Sequence, residues 1–252
     1  MRLTISSLFA VWASTVSAAA LIPSSSTDHV EFFKRDHVLD ASDIELAEAH
    51  GVNLTEMYKH SVVKRDDEED ITVWVHKSFE EDGIPAEQSL EQSSELNKRD
   101  QRLNTPGIEW WEHGLAIMCH SPERYDVTGP KGAFTGGIIH MRDWCYNLGR
   151  GNFPLGGPYY GSGWRTLMTA GSNSGANVMY RAQLRPGGNN NKAVFIGVLD
   201  IWDDLKWTYS KRKVYSGKER AASWGYKRCM ERETGHQNGV EFRIQATDDR
   251  VN

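Results

Sequence analysis

Apolar and polar residues alternate along several stretches in the second half of this chain, and that period of two predicts β-strands. The clearest alternation places Val178, Tyr180, Ala182 and Leu184 on one face. Apolar residues are nearly continuous at 193–202, which predicts a central strand. The predicted strands cover residues 108–119, 164–169, 178–184, 193–202 and 240–246.

The strands at 178–184 and 193–202 are predicted to form a hairpin. Pro, Gly and Asn fill residues 186–191 between them, and Gly and Asn tolerate the positive φ that a tight turn needs. Residues 207–215 are predicted to extend the same sheet.

Two other stretches have apolar residues three and four positions apart, which is helical spacing. They cover residues 136–148 and 218–233. The two apolar stripes consist of Ile138, Met141, Cys145 and Leu148, and of Ala222, Tyr226 and Cys229. The sequence therefore predicts an α+β domain, with an antiparallel sheet of four to six strands and two helices on one face.

The chain begins as secretory precursors do. Arg2 precedes an apolar stretch at about residues 5–16, and small residues follow at 17–20. A basic start, a short apolar segment and a small-residue end predict a signal peptide over residues 1–20. A membrane anchor is the alternative, but the apolar run is too short to span a bilayer.

Three Lys-Arg pairs divide the following region, and each is followed by Asp. Processing proteases of the late secretory pathway cut after such pairs, so we expect cleavage after Arg35, Arg65 and Arg99. Residues 1–99 hold 9 Lys and Arg against 19 Asp and Glu, whereas the rest of the chain is mildly basic. This charge shift predicts an acidic, largely disordered propeptide over residues 21–99 and a mature Trp-rich domain over residues 100–252.

This arrangement of signal peptide, acidic leader and dibasic pairs resembles fungal preproproteins, including those of yeast killer toxins and mating pheromones. The resemblance covers the first hundred residues and concerns their layout. It implies a secreted protein that a processing protease matures and that acts on other cells.

Short elements are also predicted within the leader. Residues 41–59 favour a helix with Ser42 as N-cap, and residues 71–75 favour a strand. Asn53 begins an N-glycosylation sequon.

Three cysteines in an oxidising compartment predict one disulfide and one remaining thiol. Because Cys145 and Cys229 both lie on predicted apolar helix faces, we expect these two to pair, leaving Cys119.

Candidate catalytic residues are few. His113 with Glu112, and His120 with Glu123, could supply the acid and base of a small secreted nuclease, although ordinary surface residues are the alternative. The histidines lack the spacing of zinc sites, and the aspartates at 200, 203 and 204 lack the spacing of a calcium loop. We therefore predict that these aspartates form a solvated strand end. We expect neither a metal ion nor a cofactor.

The glycine-rich segment 149–163 lacks a nucleotide-binding pattern. Its glycines are interleaved with aromatic residues, which favours recognition of sugars, membranes or proteins; an irregular structural loop is the alternative. The predicted binding residues are Phe153, Tyr159, Tyr160 and Trp164.

Basic residues between 211 and 228 suggest a surface for an anionic cell-wall polymer or a membrane, and a solvated surface is the alternative. Nucleic acid is the less expected partner. The sequence thus favours a secreted toxin-like or effector-like protein, with a small hydrolase or a glycan-binding module as alternatives.

Overall fold

The computed structural model describes residues 29–64, 69–81, 117–147, 150–172, 177–187, 191–231 and 235–247. These residues form an α+β fold with three helices, one further single helical turn and fourteen strands. The helices are α1 (Ala41–Ala49), α2 (Thr135–Asn147), the single turn α3 (Gly157–Tyr160) and α4 (Val198–Ser210). The strands are β1 (His29–Phe32), β2 (Met57–Lys64), β3 (Ile71–His76), β4 (Glu80–Glu81), β5 (Cys119–Asp126), β6 (Ala133–Phe134), β7 (Gly151–Gly156), β8 (Arg165–Gly171), β9 (Val178–Leu184), β10 (Ala193–Gly197), β11 (Lys213–Tyr215), β12 (Lys218–Ala221), β13 (Ser223–Met230) and β14 (Gln237–Gln245).

Eight strands form the main sheet, in the order β1-β2-β3-β8-β9-β14-β13-β5, and all its described pairings are antiparallel. Two three-stranded sheets accompany it, β10-β7-β4 and β11-β12-β6. The antiparallel α+β class is confirmed. The main sheet has more strands than the predicted four to six, because β1, β2 and β3 come from the region predicted to be largely disordered.

The described residues between 29 and 81, which we call the front segment, belong to the same core as the second half. Val73 and Val75 on β3 face Ala170 and Met168 on β8, and all four side chains are fully buried. The prediction of a largely disordered leader over residues 21–99 is therefore wrong for residues 29–64 and 69–81. The acidic composition of this region favours disorder, whereas its apolar strand at 71–76 joins a large sheet.

The core lies between one face of the main sheet and a layer formed by α2, α4 and the small β10-β7-β4 sheet. We call this the inner face. Helix α2 forms as predicted, because Ile138, Met141, Trp144 and Cys145 lie on its buried side. The predicted strands at 164–169, 178–184 and 240–246 are confirmed as β8, β9 and β14, and residues 71–75 as β3.

The predicted hairpin of 178–184 with 193–202 is wrong. Strand β9 pairs with β8 and β14, whereas β10 ends at Gly197 and pairs with β7. The chain then turns into α4, where the Asp200 carboxylate accepts the Gly197 backbone N–H at 2.8 Å. A carboxylate in the first turn satisfies a free N–H group and favours helix initiation. The predicted strand at 207–215 is therefore wrong for residues 207–210, which form the end of α4. Within that range, residues 213–215 form strand β11.

The predicted helix at 218–233 is also wrong, since these residues form β12 and β13. On β13 the inward positions are Ser223, Gly225, Lys227 and Cys229. A buried lysine and a glycine conceal the alternation that would mark a strand. An added Cβ at Gly225 would lie 2.2 Å from the Glu123 carbonyl oxygen, so only glycine lets β5 approach this closely.

The disulfide joins Cys119 and Cys229, which lie opposite each other on β5 and β13, and the predicted Cys145–Cys229 pair is wrong. Cys145 is free and fully buried on α2. The pairing prediction failed because Cys229 lies on a strand. The bond fastens β5 to its neighbour at the sheet edge, and closing so long a loop contributes roughly 2–4 kcal/mol to stability.

We predict that the native protein exposes no reactive thiol and that unfolding without reductant exposes one. Alkylation in denaturant followed by peptide mapping should label Cys145 alone, because the other two cysteines are joined. Labelling of Cys119 or Cys229 under these conditions would contradict the assignment. A Cys145→Ser variant, with no label in denaturant, is the control.

Candidate functional site

The main sheet has a second side, which we call the outer face. Its side chains alternate with the buried ones along β9, β14 and β13, and the exposed edge strand β5 continues this face. Helix α1 and its flanking loops cover this side over β2 and β3, where they bury Trp74 with Ala47 and Met57. Over the other four strands, the outward aromatic and charged side chains are half-buried or exposed.

Three aromatic rings form a cluster on this part of the outer face. Tyr125 and Trp224 are cross-strand neighbours whose rings stack 4.6 Å apart. Tyr226 lies edge-on to Trp224 at 5.1 Å. Aromatic pairs prefer such offset or edge-to-face arrangements. Because the cluster is not covered by core residues, its outer edges are available to a ligand.

Arginines stack on the aromatic rings of the same face. The Arg185 guanidinium lies 4.5 Å from the centroid of the Tyr226 ring, and the Arg243 guanidinium lies 4.4 Å from that of Trp164. Arg181 approaches the same Trp164 ring at 5.7 Å. Cation–π attraction favours a guanidinium over an aromatic face, and the planar donors of arginine suit a carboxylate or phosphate.

Acidic and amide groups lie between these rings and cations. Glu241 is opposite Tyr226 on the neighbouring strand and accepts a hydrogen bond from the Gln183 amide at 2.5 Å. Tyr125 donates to Glu123 at 3.3 Å. Burial and the Glu241 charge raise the pKa of Tyr226. Its hydroxyl therefore stays protonated and can donate a hydrogen bond at physiological pH.

Two shallow depressions flank Tyr226. The first, of about 420 Å³, is lined by β5, β13, the start of β14 and the residues that follow β9, including Glu123, Arg185 and Arg228. The second, of about 620 Å³, is lined by Trp224, Arg243 and Lys131 among others. Together with the aromatic cluster they make a long, open surface with both flat rings and planar donors.

Of the three predicted binding residues whose side chains the structure describes, one lies on this surface. Trp164 precedes β8 and is half-buried beneath Arg243. Phe153 is fully buried on β7 against Phe79, with ring centroids 4.8 Å apart, so its prediction as a binding residue is wrong. Tyr160 is half-buried at the end of α3, and the side chain of Tyr159 lies outside the described part of the chain.

The predicted segment 149–163 is therefore not a loop throughout. Strand β7 fills its first part, and all six residues of that strand are buried. The sequence signal for the actual surface is different: Trp224, Tyr226 and Arg228 occupy every second position of one strand. That alternation was concealed by the helical interpretation of the same residues.

The two candidate catalytic residues that the structure describes do not share a cleft. His120 lies opposite Arg228, and Glu123 lies opposite Tyr226, and both side chains are exposed on the edge strand. His113 and Glu112 lie outside the described residues. In the part of the chain that the structure describes, no group of three or more His, Cys, Asp and Glu side chains is arranged to hold a metal ion.

A buried ionic cluster joins α4 to the sheet. The fully buried Asp204 carboxylate accepts hydrogen bonds from Tyr180, Lys227 and Arg124. These aspartates lie on α4, and the buried side of that helix directs Asp204 toward Lys227. The predicted solvated strand end is therefore wrong for Asp204. Asp203 is the half-buried member and pairs with Arg124.

Asp200 has a separate role in this cluster. Its carboxylate accepts the backbone N–H groups of Met118, Cys119 and Gly197 at 2.8, 3.2 and 2.8 Å. Burial raises the pKa of Asp200 to about 6, although Lys227 and these hydrogen bonds oppose that rise. The carboxylate therefore ties the start of β5 to the start of α4.

The predicted basic surface is divided by the fold. Lys227 belongs to the buried cluster, whereas Arg228 lies on the outer face. The cations at 211–220 lie around β11 and β12, where Lys213 pairs with Asp126 at 2.8 Å. These residues do not form one continuous patch.

The predicted processing and glycosylation sites fall between secondary-structure elements where they can be located. Arg35 lies in the turn after β1, and its guanidinium donates to the Phe79 carbonyl at 2.6 Å. Arg65 and Arg99 lie outside the described residues. Asn53 is exposed between α1 and β2, where an attached glycan would point into solvent.

Two histidines of the front segment are buried in the neutral form. His50 accepts the Trp74 indole N–H and contacts the Ser172 carbonyl, and burial lowers its pKa. His76 accepts the Ser78 backbone N–H, and burial, with the charges of Arg165 and Lys77, lowers its pKa to about 4.

No protein-family model matches this chain, and a search of curated proteins finds no significant match. None of the described helices has the length and apolar character needed to cross a bilayer.

Removing the cation of the buried cluster should destabilise the protein strongly. Lys227→Ala leaves Asp204 buried with one fewer partner, and breaking a buried ion pair costs about 3 kcal/mol. Chemical denaturation of the variant and the native protein measures this difference. Arg228→Ala is the control, since it removes an exposed cation from the next position; equal stability losses in both variants would contradict the account.

Acidification should weaken the fold through His76. Its pKa is about 4 when folded and near 6.5 when unfolded, so between pH 7 and pH 5 only the unfolded chain gains the proton. This part of the stability is complete above pH 6.5 and is lost as the pH falls toward 4. His76→Asn keeps an acceptor without that titration and should lose about 1 kcal/mol less than the native protein between pH 7 and pH 5. The same loss in both would refute the prediction, and comparing the two proteins cancels the opposing effect of Asp200.

Proposed function

We propose that this is an exported protein, processed at paired basic residues, that binds an acidic extracellular polysaccharide through the outer face of β9, β14, β13 and β5. The observation that carries the proposal is the stacking of Arg185 on Tyr226 and of Arg243 on Trp164. The expected ligand is a cell-wall glycan, and action on other cells would follow from that binding.

The shape of the surface supports a polymer rather than a small molecule. Small-molecule sites are usually enclosed cavities that bury most of the ligand. Here two open depressions lie on either side of Tyr226, so a chain of sugar units could cross both. The apolar faces of sugar rings fit against aromatic rings such as those of Trp224 and Tyr226.

The charge of the surface supports an acidic polymer rather than a neutral one. Four arginines line it, at 181, 185, 228 and 243, against two glutamates at 123 and 241. Planar guanidinium groups pair well with carboxylates and with other oxyanions. The glutamates can accept hydrogen bonds from sugar hydroxyls, and the Gln183 amide can donate to them or accept from them.

The hydrolase alternative has less support. A general base needs to reach its proton in an oriented site, whereas His120 and Glu123 are both exposed. The toxin-like label rests on the layout of the first hundred residues. The binding proposal does not depend on it.

Affinity measurements with polygalacturonate, and with dextran as a neutral polysaccharide, test the proposal. We expect binding to polygalacturonate only, weakening as NaCl is raised from about 0.05 to 0.5 M because added ions screen exposed charges. Tyr226→Ala and Arg185→Ala should each reduce affinity at least about tenfold, a loss of about 1.4 kcal/mol.

Tyr146→Ala is the matched control, because Tyr146 is an exposed aromatic residue on α2, away from the outer face. This variant should bind as the native protein does. Equal binding of dextran, or a Tyr146 effect as large as that of Tyr226, would refute the proposed site.

A further inference from the structure

We infer that cleavage after Arg99 yields a non-covalent two-chain protein, in which the front segment stays bound as part of the main sheet. The inference rests on the processing step of the proposed function. It changes the consequence of that step, because the front segment becomes a subunit of the product rather than a discarded leader.

The first ground is the position of β3 within the sheet. Strand β3 lies between β2 and β8 and pairs with β8 from Thr72 opposite Gly171 to Val75 opposite Met168. Removing the front segment would leave the hydrogen-bonding groups of β8 unpaired along one side. Unpaired strand edges are prone to associate with other chains, so the bound state is strongly favoured.

Burial on both sides of β3 is the second ground. On the inner face, Val73 and Val75 are fully buried in the common core. On the outer face, Trp74 is fully buried under α1. Phe79, which follows β3, packs against Phe153 of β7. The front segment is thus anchored by apolar side chains on both sides of the sheet.

Specific hydrogen bonds cross between the two parts and fix their alignment. The Trp144 indole on α2 donates to the Ser61 hydroxyl on β2 at 2.9 Å, and both groups are buried. His50, after α1, contacts the Ser172 carbonyl at the end of β8 at 3.1 Å. If the front segment departed, the Trp144 indole N–H and the Ser172 carbonyl would lose these hydrogen bonds.

No covalent bond would hold the fragments together after the cut. All three cysteines follow residue 99, and the disulfide joins two of them within the second part. The Lys98–Arg99 pair belongs to the connection between β4 and β5, so a cut there interrupts no described strand or helix. The association would therefore resemble the addition of strands to a sheet edge by a separate peptide.

The test uses the full chain with Lys34→Gln, Lys64→Gln and Lys211→Gln, which remove three competing Lys-Arg pairs. After digestion with a kexin-type protease, a denaturing gel without reductant should show two fragments. Size exclusion and native mass spectrometry of the same sample should show one species containing both. The cut protein should also unfold at a temperature that rises with its concentration, because its unfolding releases two chains.

Elution of the second fragment without the front segment would overturn the inference, and so would resistance of the Lys98–Arg99 bond to the protease. Lys98→Gln added to the same variant is the control and should remain one chain. Polysaccharide binding is measured separately on the uncut protein, so failure of the binding proposal leaves this result interpretable.

Discussion

The pairing of β3 with β8 is the interaction on which the rest of the structure depends. It joins strands that are about a hundred residues apart in the chain. By composition these strands belong to an acidic leader and a basic domain, yet the pairing unites them in one sheet. Non-local pairing of this kind is costly in loop entropy and has to be compensated by burial. The fully buried Val73, Trp74 and Val75 supply that burial.

The two sides of this sheet serve different purposes. The inner face is closed by α2 and α4 and fastened by the Asp204 cluster, which places a salt-bridged lysine where most sheets have an apolar residue. The outer face is divided between α1, which covers one end, and the arginine-stacked rings at the other. A rigid inner face holds the outer rings in place, so a ligand need not order them on binding.

How much of this could be predicted from the sequence depends on how well each element follows its pattern. Helix α2 and strands β8, β9 and β14 follow apolar periodicity closely and were predicted. Helix α4 was missed because its first turn continues the apolar run of β10, and only Gly197 and Asp200 mark the change. Strand β13 was missed because Lys227 occupies a buried position, and a charged partner for it could not be inferred from sequence.

The candidate site shows the same limit. Trp164 was predicted as a binding residue, but Tyr125, Trp224 and Tyr226 come together only through the pairing of β5 with β13. Phe153 was assigned to the surface because glycines surround it, whereas those glycines let β7 pack closely inside the core. Side-chain exposure depends on which strands become neighbours, and that information is not local.

Hydrogen exchange of the intact protein, followed by mass spectrometry, tests most directly whether the two parts form one cooperative sheet. If they do, backbone amides of β3 should exchange within about tenfold of the rate of those of β14, because both open only in global unfolding. Exchange of β2 and β3 several orders of magnitude faster than that of β13 and β14 would show that the front segment opens on its own, and would contradict the account.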